Sequence, residues 1–327
     1  RVLERAGDGV RFVSEFAREA TAATLDADRQ RRLHRTVADH LPAVHADETG
    51  EQYARTAHHY EQAGDLDRAL DAYRQAASQA ADVYALDAAK DAYAAALAVA
   101  RRLDDDTAEL ELLEATLAFH RTVGEYEEVE TYADAVRDRT DDVRVRQRVA
   151  NEVCLARTHR GDYDGAIDAA DGGLALGDDA PTDERCQLVG QRGWIQMIRG
   201  DHDAAADSFA TERRLAETLD DDARLGDAFH HLAALDYMRG DVDRGIDRME
   251  RAIDLREETG DRQSLSARLN NLSAMYWKAG DLHAAKAAIE RSLALTRARN
   301  DRVTEARNTV NLGLYLEKLG DWDRALD

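Results

Sequence analysis

The sequence predicts an all-α fold, a solenoid in which helical hairpins stack one on the next. A turn of glycine followed by acidic residues recurs along the chain, and its last copies begin at the evenly spaced Gly200, Gly240, Gly280 and Gly320. Only 2 of the 327 residues are proline, far below the usual share of about 5%. Because proline breaks helix interiors, its near absence permits long helices.

The glycine turn marks the junction between the two helices of each hairpin. Glycine readily takes the left-handed conformation that ends a helix. The acidic residue after it can cap the next helix and suits its positive end. The wide gap after Gly64 hides a degenerate turn at Tyr84, one repeat length before the next glycine. The turn glycines are Gly64, Gly124, Gly161, Gly200, Gly240, Gly280 and Gly320.

Apolar residues on both sides of each turn have the spacing of one buried helix face. Around Gly280 these are Leu269, Leu272, Met275 and Tyr276, then Ala285, Ala288, Ile289, Ser292, Leu293 and Leu295. A small residue five positions after the glycine lets the two helices cross closely, as at Ala69, Ala166, Ala205, Gly245, Ala285 and Ala325. Since one hairpin cannot bury its own face, about seven hairpins are expected to stack beyond residue 48.

Residues 1–45 do not follow the repeat. Apolar residues over 2–5 and 10–13 flank Gly7-Asp8-Gly9, which is the signal of a β-hairpin. One helix is predicted over about residues 15–24. Another is predicted over residues 29–41, ending at Pro42.

The repeats resemble the tetratricopeptide repeat (TPR) family over about residues 48–327. The family pattern is matched by Leu272, Ser273, Tyr276, Gly280, Ala285, Ile289 and Ser292. The resemblance implies a right-handed superhelical solenoid whose first helices line a concave groove. The 40-residue period exceeds the family's usual length of about 34 residues and is similar to the long-helix variety of kinesin light chain and regulatory ATPases. Gln196 and Asp236 replace the family tyrosine, and the repeats near Gly124 and Gly161 match weakly.

The N-terminal segment resembles the junction at which a winged helix passes into helical repeats in STAND-type signalling ATPases. Residues 12–20 and 31–38 carry this resemblance, although Ser14 stands where that pattern usually has histidine. Residues 1–45 are therefore expected to be a winged-helix-like remnant or an N-terminal cap, and residues 46–327 a TPR solenoid truncated in its last repeat.

The chain is expected to be a fragment of a longer protein. It starts with Arg1 and stops a few residues into a new helix, so Leu312, Leu316 and Leu319 should be partly exposed. The STAND resemblance implies an upstream nucleotide-binding domain. These residues contain no glycine-rich phosphate loop, so this segment cannot hydrolyse ATP by itself.

The charge balance excludes several classes of partner. The chain has 43 Asp and 23 Glu against 40 Arg and 4 Lys, and a net charge of −22, a composition that resembles proteins of salt-loving archaea. Such a surface repels nucleic-acid phosphate, so the solenoid is expected to bind no nucleic acid. The longest apolar run, residues 94–100, is too short to span a membrane. With no secretory signal pattern, the protein is expected to be cytoplasmic.

No residue pattern favours catalysis, a metal or a cofactor, so the sequence does not predict an enzyme. Cys154 and Cys186 lie on separate predicted helices and are interpreted as buried packing residues. Adjacent histidines of a helix point about 100° apart and cannot easily chelate one ion; such pairs occur at His58-His59 and His230-His231. The basic cluster of Arg29, Arg31, Arg32 and Arg35 is interpreted as a solvated helix face or a contact with the missing domain, with contact to DNA as the alternative.

One pattern favours binding. Nine residues before the turn glycines lie Gln191, His231, Asn271 and Asn311, one in each successive repeat and preceded by Glu152. They should form a polar row across stacked repeats, and amides suit hydrogen bonding to a peptide backbone. Trp194, Tyr237 and Trp277 fall on or near the same face, where aromatic rings suit peptide or ligand contact. The alternative is that the amides pair with neighbouring helices.

The predicted function is a protein-interaction scaffold, the regulatory or sensor arm of a larger signalling ATPase or transcription regulator. Its partner would be a protein, a peptide or the missing ATPase core of the same chain. The alternative is a module that senses a small-molecule inducer, with the groove closing on a metabolite.

Overall fold

The computed structural model describes residues 3–6, 9–14, 16, 20–21, 23–44, 50–177, 179–259, 262–298 and 301–326. These residues contain two strands and sixteen helices. The chain separates into two compact units, Arg1–Arg139 (unit 1) and Thr140–Asp327 (unit 2). The predicted all-α solenoid of helical hairpins is confirmed, with fifteen helices beyond residue 48 in the described part of the chain.

Unit 1 begins with a β-hairpin and continues as helices. Strands β1 (Leu3–Ala6) and β2 (Gly9–Phe12) pair antiparallel, with Leu3 opposite Phe12, which confirms the predicted hairpin. The helices are α1 (Ala27–Val44), α2 (Gly50–Gln62), α3 (Leu66–Asp82), α4 (Leu86–Arg102), α5 (Asp106–Val123) and α6 (Tyr126–Arg137).

The helices predicted before residue 46 have different outcomes. The one over residues 15–24 lies outside the described residues. Helix α1 does not end at Pro42 as predicted but continues to Val44, because a proline near a helix end removes only its own N–H from the ladder. The winged-helix identity of this segment and the boundary at residues 45–46 stay predictions, since residues 45–49 lie outside the described part.

Unit 2 consists of helices throughout its described residues. They are α7 (Val143–His159), α8 (Tyr163–Leu174), α9 (Asp183–Ile198), α10 (His202–Leu219), α11 (Asp222–Arg239), α12 (Val242–Thr259), α13 (Arg262–Ala279), α14 (Leu282–Ala298), α15 (Arg302–Leu319) and α16 (Trp322–Leu326). Helices α9, α11, α13 and α15 precede a turn glycine and are called the first helices of their hairpins.

The turns have the predicted left-handed backbone. All seven turn glycines have φ between 75° and 90°, and Tyr84 in the degenerate turn has φ 57°. Two backbone hydrogen bonds close each turn. In the turn at Gly124, the N–H of Gly124 donates to the Arg121 carbonyl at 3.2 Å, and the N–H of Glu125 donates to the His120 carbonyl at 2.9 Å. These bonds satisfy carbonyl groups that the end of a helix leaves without partners.

The acidic residue after the glycine caps the next helix in some turns and not in others. Asp162, Asp201 and Asp281 each accept a hydrogen bond from the N–H three residues later, at 3.0, 3.3 and 2.9 Å. The capping prediction is wrong at Asp65 and Glu125, which make no such bond. Their carboxylates instead contact neighbouring side chains: Arg35 and Arg68 for Asp65, and Lys90 and His120 for Glu125.

The core lies between the two helices of each hairpin and between neighbouring hairpins, as the apolar stripes predict. Leu269, Leu272 and Met275 are buried in one cluster of unit 2. Gly245, five residues after its turn, shows why that position must be small. A Cβ there would lie 3.2 Å from the carbonyl oxygen of Ala233, closer than most side-chain contacts.

The exposure predicted for the last full helix is only partly correct. Leu312 and Leu319 are half-buried, as predicted, but Leu316 is 2% exposed. The prediction is wrong for Leu316 because the short helix α16 already packs against α15.

Two adjacent glycines of α8 test the close packing directly. A Cβ at Gly172 would meet no atom within 4 Å, whereas one at Gly173 would lie 2.7 Å from the Cβ of Ala150 and 2.8 Å from Cδ1 of Leu188. Gly172→Ala should raise the free energy of unfolding by about 0.5–1 kcal/mol through helix propensity. Gly173→Ala should lower it by about 1–3 kcal/mol through overpacking. Urea denaturation followed by circular dichroism measures both, and equal effects would contradict this packing.

Candidate functional site

The first helices of unit 2 are joined side by side through polar side chains. Asn271 Nδ2 on α13 lies 3.3 Å from His230 Nε2 on α11, and Asn311 Nδ2 on α15 donates to Asn270 Oδ1 on α13 at 3.1 Å. Each pair is 41 residues apart in sequence. Equivalent positions of successive repeats are therefore neighbours in the stack.

The predicted polar row is half-buried along its length, and its members differ in what they contact. Asn271 and Asn311 make the bonds between helices described above. His231 faces the second helix α10 instead. Gln191 makes no hydrogen bond with any residue in the described part of the chain. Of the row's amides, its amide is therefore the one that can bond a partner without losing a bond within the fold. The amides thus take part in packing, and the row still presents polar groups at the surface.

His231 is the most strongly coupled member of the row. Its Nδ1 lies 2.8 Å from Oε2 of Glu212, whose side chain is 3% exposed. The ring stacks on Phe209 at 5.1 Å between centroids. Burial by itself lowers the pKa of His231, but the Glu212 carboxylate outweighs it and raises that pKa above its ordinary value. Burial, followed by the charges of His231 and Arg268, lowers the pKa of the adjacent His230 to about 3, and these effects outweigh the opposing effect of the Asp227 carboxylate.

The three predicted aromatic residues bridge successive first helices. The ring of Trp194 on α9 lies 5.7 Å from that of His231 on α11. Lys278 Nζ on α13 lies 4.2 Å from the ring centroid of Tyr237 on α11, a cation–π contact. Trp277 stacks on Tyr315 of α15 at 5.0 Å and 27°. All three predicted rings are half-buried, so each still presents an edge or face at the surface.

A charged network beside the row was not predicted. Asp227 on α11 accepts from both Arg256 on α12 and Arg268 on α13. Burial alone would raise the pKa of Asp227, but the two guanidinium groups hold it below its ordinary value. Arg224 likewise bonds Asp183 on α9. The signal in the sequence is the separation of 41 residues shared by the Asp183–Arg224 and Asp227–Arg268 pairs, which the many other acidic residues obscure.

The other candidate residues pack or pair within the fold. Cys154 and Cys186 are fully buried, as predicted, and burial raises the pKa of each thiol to about 12. Such thiols are protonated at neutral pH and are poor nucleophiles. His59 Nδ1 lies 2.8 Å from Nδ1 of His34 on α1. In the basic cluster, Arg31 pairs with Asp28 and Arg35 with Asp65.

Neither a metal site nor a membrane-spanning helix is present among the described residues. No three or more histidine, cysteine, aspartate or glutamate side chains among them are grouped so as to hold a metal ion. No helix in the described part has the length and apolar character to cross a membrane.

The comparisons agree with this architecture. Residues 224–298 match the family model of the tetratricopeptide repeat. A STAND protein with a tetratricopeptide repeat sensor from Pyrococcus horikoshii superposes with a TM-score of 0.57 at 12% identity, over 99% of this chain and 55% of that protein. The apo form of RapI gives 0.54 at 9% identity, over 80% and 73%. BtubC from P. vanneervenii gives 0.46 at 20% identity, over 78% and 93%. No curated protein matches the sequence.

The pKa values of the two adjacent imidazoles of α11 should be shifted in opposite directions from the ordinary value of histidine. His231 should keep its proton above pH 6.5, its ordinary pKa, while His230 should stay neutral down to about pH 3. Because the folded state then binds fewer protons at His230 than the unfolded state does, this residue makes stability fall as the pH drops from 6.5 toward 3. His231 has the opposite effect on stability. The stabilisation that it gives the folded state is complete below pH 6.5 and is lost as the pH rises through the raised pKa.

Imidazole chemical shifts measured by NMR against pH follow both groups. In Glu212→Gln the pKa of His231 should fall below 6.5, because burial is then the largest remaining effect and the charges of Asp227 and Arg268 oppose each other. Glu217→Gln on the same helix is the control, since Glu217 pairs with Arg213 at the surface and should leave both pKa values unchanged. Titration of both imidazoles near pH 6.5 in the unmodified protein would contradict the assignment.

Proposed function

We propose that this chain is a protein-interaction scaffold that serves as the regulatory or sensor arm of a larger signalling ATPase or transcription regulator. Tetratricopeptide repeats typically bind protein or peptide partners, and they are typically not enzymes. The observation that carries the proposal is the half-buried row of Gln191, His231, Asn271 and Asn311, flanked by aromatic rings on the first helices of unit 2. In this proposal the protein acts in the cytoplasm and without a catalytic role of its own.

The surface chemistry of the row favours a peptide segment over a metabolite. Amides and an imidazole spaced by one repeat can bond successive carbonyl and N–H groups of an extended backbone. Trp194, Tyr237 and Trp277 add aromatic area beside them. A small-molecule sensor would instead need an enclosed apolar cavity with a few convergent polar groups. The row is polar and partly exposed along its length, which supports the scaffold.

The STAND context rests on the superposed repeat sensor and on the N-terminal residues that resemble the junction of that family. In such an arm, partner binding would shift the contact between the repeats and the ATPase core. The gene upstream of this segment should then encode a phosphate-binding loop of the glycine-rich, Lys-Ser/Thr type. An upstream gene segment that encodes no such loop would contradict the ATPase context, but it would not contradict the scaffold proposal.

Replacing the amides tests the row. Gln191→Ala and the double variant Asn271→Ala with Asn311→Ala should each weaken binding of a captured partner protein. The expected cost is about 0.5–1.5 kcal/mol per lost hydrogen bond. Gln75→Ala, an exposed amide of unit 1, is the matched control and should bind normally. Isothermal titration calorimetry measures binding, and thermal melts measure stability.

The three variants separate binding from packing. Gln191→Ala should melt like the unmodified protein, because its amide bonds no described residue. The double variant removes two bonds between helices and should melt slightly earlier. Normal binding in both Gln191→Ala and the double variant would show that the partner binds at another surface of the chain. An unchanged affinity together with a much lower melting temperature in the double variant would make these asparagines packing residues only.

Adaptation to high salt is part of the same proposal. With a net charge of −22, self-repulsion opposes the compact state, and salt screens it. The melting temperature should therefore rise as KCl is increased from about 0.1 M, where the Debye length is about 10 Å, to about 1 M, where it is about 3 Å. In a variant with four exposed aspartates changed to asparagine, namely Asp71, Asp91, Asp168 and Asp254, this rise should be smaller. A melting temperature independent of salt would contradict the adaptation.

A further inference from the structure

The turn between α3 and α4 has a bulky residue at the left-handed position, which is glycine in seven other turns and aspartate at Asp104 and Asp220. Tyr84 takes the left-handed backbone conformation, with φ 57°. The turn closes with the same two bonds as the glycine turns, from Tyr84 N–H to the Ala81 carbonyl at 3.1 Å and from Ala85 N–H to the Ala80 carbonyl at 2.8 Å. This conformation is disfavoured for residues with a Cβ, and most of all for bulky ones. Glycine would therefore form the same turn with less conformational strain.

Packing does not account for the tyrosine. Tyr84 is 78% exposed, and its hydroxyl makes no hydrogen bond with any residue that the structure describes. Strained backbone that carries an exposed aromatic ring is typical of a functional position.

The ring stands at the edge of a cavity within unit 1. The cavity has a volume of about 370 Å³, in the range of ligand pockets. Tyr93 of α4 and Phe119 of α5 form an aromatic wall, with centroids 5.5 Å apart and planes at 43°. The other lining residues are Ala81, Asp82, Tyr84, Ala115, Ala118, Thr122 and Val123.

Asp82 is the one charged side chain among these nine lining residues. It makes no ion pair with any residue in the described part of the chain, although arginine–carboxylate pairs recur throughout both units. Asp82 and Tyr93 both line this cavity, and burial, followed by the charge of Asp82, raises the pKa of Tyr93. An anionic group among aromatic rings is the environment that a cation with a flat apolar face prefers.

Arginine fits this combination better than lysine does. Its planar guanidinium stacks on aromatic rings and can bond both oxygens of one carboxylate, whereas an ammonium is a compact and strongly hydrated charge. Small residues, Ala115 and Ala118, leave room on α5 for the aliphatic part of the side chain and an apolar neighbour.

We propose that this cavity, the Tyr84 pocket, binds an arginine side chain on a segment of a partner protein, with the guanidinium against the rings of Tyr84 and Tyr93 and the carboxylate of Asp82. The pocket lies entirely within unit 1. It is therefore independent of the polar row of unit 2, and either site can fail its test without the other.

Fluorine NMR of the whole chain labelled with 3-fluorotyrosine tests the pocket. The probe is an acetylated and amidated tripeptide of leucine, arginine and leucine, and the signals are assigned with Tyr84→Phe and Tyr93→Phe. Saturable shifts at Tyr84 and Tyr93 are expected. A peptide with glutamine in place of arginine should bind about tenfold more weakly, the loss expected for a hydrogen bond to a charged group. Equal binding of the glutamine or lysine peptide would overturn the assignment to arginine.

Two variants with matched controls complete the test. Asp82→Asn should weaken binding of the arginine peptide about tenfold, whereas Asp87→Asn, exposed in the first turn of α4 and outside the pocket, should not. Tyr84→Gly should abolish binding while its melting temperature stays equal or rises, because the strained backbone is relieved. Val83→Ala is the control for the turn. Full affinity in Asp82→Asn or Tyr84→Gly, or a lower melting temperature in Tyr84→Gly, would overturn the proposal.

Discussion

A turn that needs one residue in the left-handed conformation sets the architecture of this protein. Two backbone hydrogen bonds close it, and the chain reverses within a few residues, so the two helices that the turn joins pack against each other. In unit 2 the turn glycines from Gly200 to Gly320 are evenly spaced. Helices of similar length, 16 to 18 residues from α9 to α15, then bring nearly equivalent positions of successive hairpins next to each other. Every contact between first helices follows from this regularity.

Close approach of the two helices in a hairpin is the second requirement. A small residue five positions after the turn, such as Gly245 or Ala285, allows the helix backbones to cross with little space between them. Larger side chains then fill the space farther from the turn, as Phe209 does above α9. Because protein interiors are close-packed, this alternation of small and large residues leaves few positions at which a methyl group can be added without cost.

Buried charges fix the register of the stack in unit 2. Asp227 joins three helices through Arg256 and Arg268, and His231 joins two through Glu212. Such pairs add little net stability, because the free energy of removing the charges from water is about as large as the attraction between them. Sliding one helix along another would, however, leave a charge buried without its partner. The network therefore selects one alignment, and that alignment holds the polar row and its aromatic neighbours in place.

The sequence by itself determined the positions of the turns and the buried faces of the helices beside them, because a left-handed backbone and an apolar stripe are local properties. It also predicts that Gln191, His231, Asn271 and Asn311 lie on one surface, since their spacing equals the repeat. Only the tertiary structure decided what each side chain contacts. The observed bonds join residues one position beyond the exact repeat, an offset set by how neighbouring helices pack. The Tyr84 pocket arises in the same way, where α3, α4 and α5 meet, because residues distant in sequence line an open space that no local pattern describes.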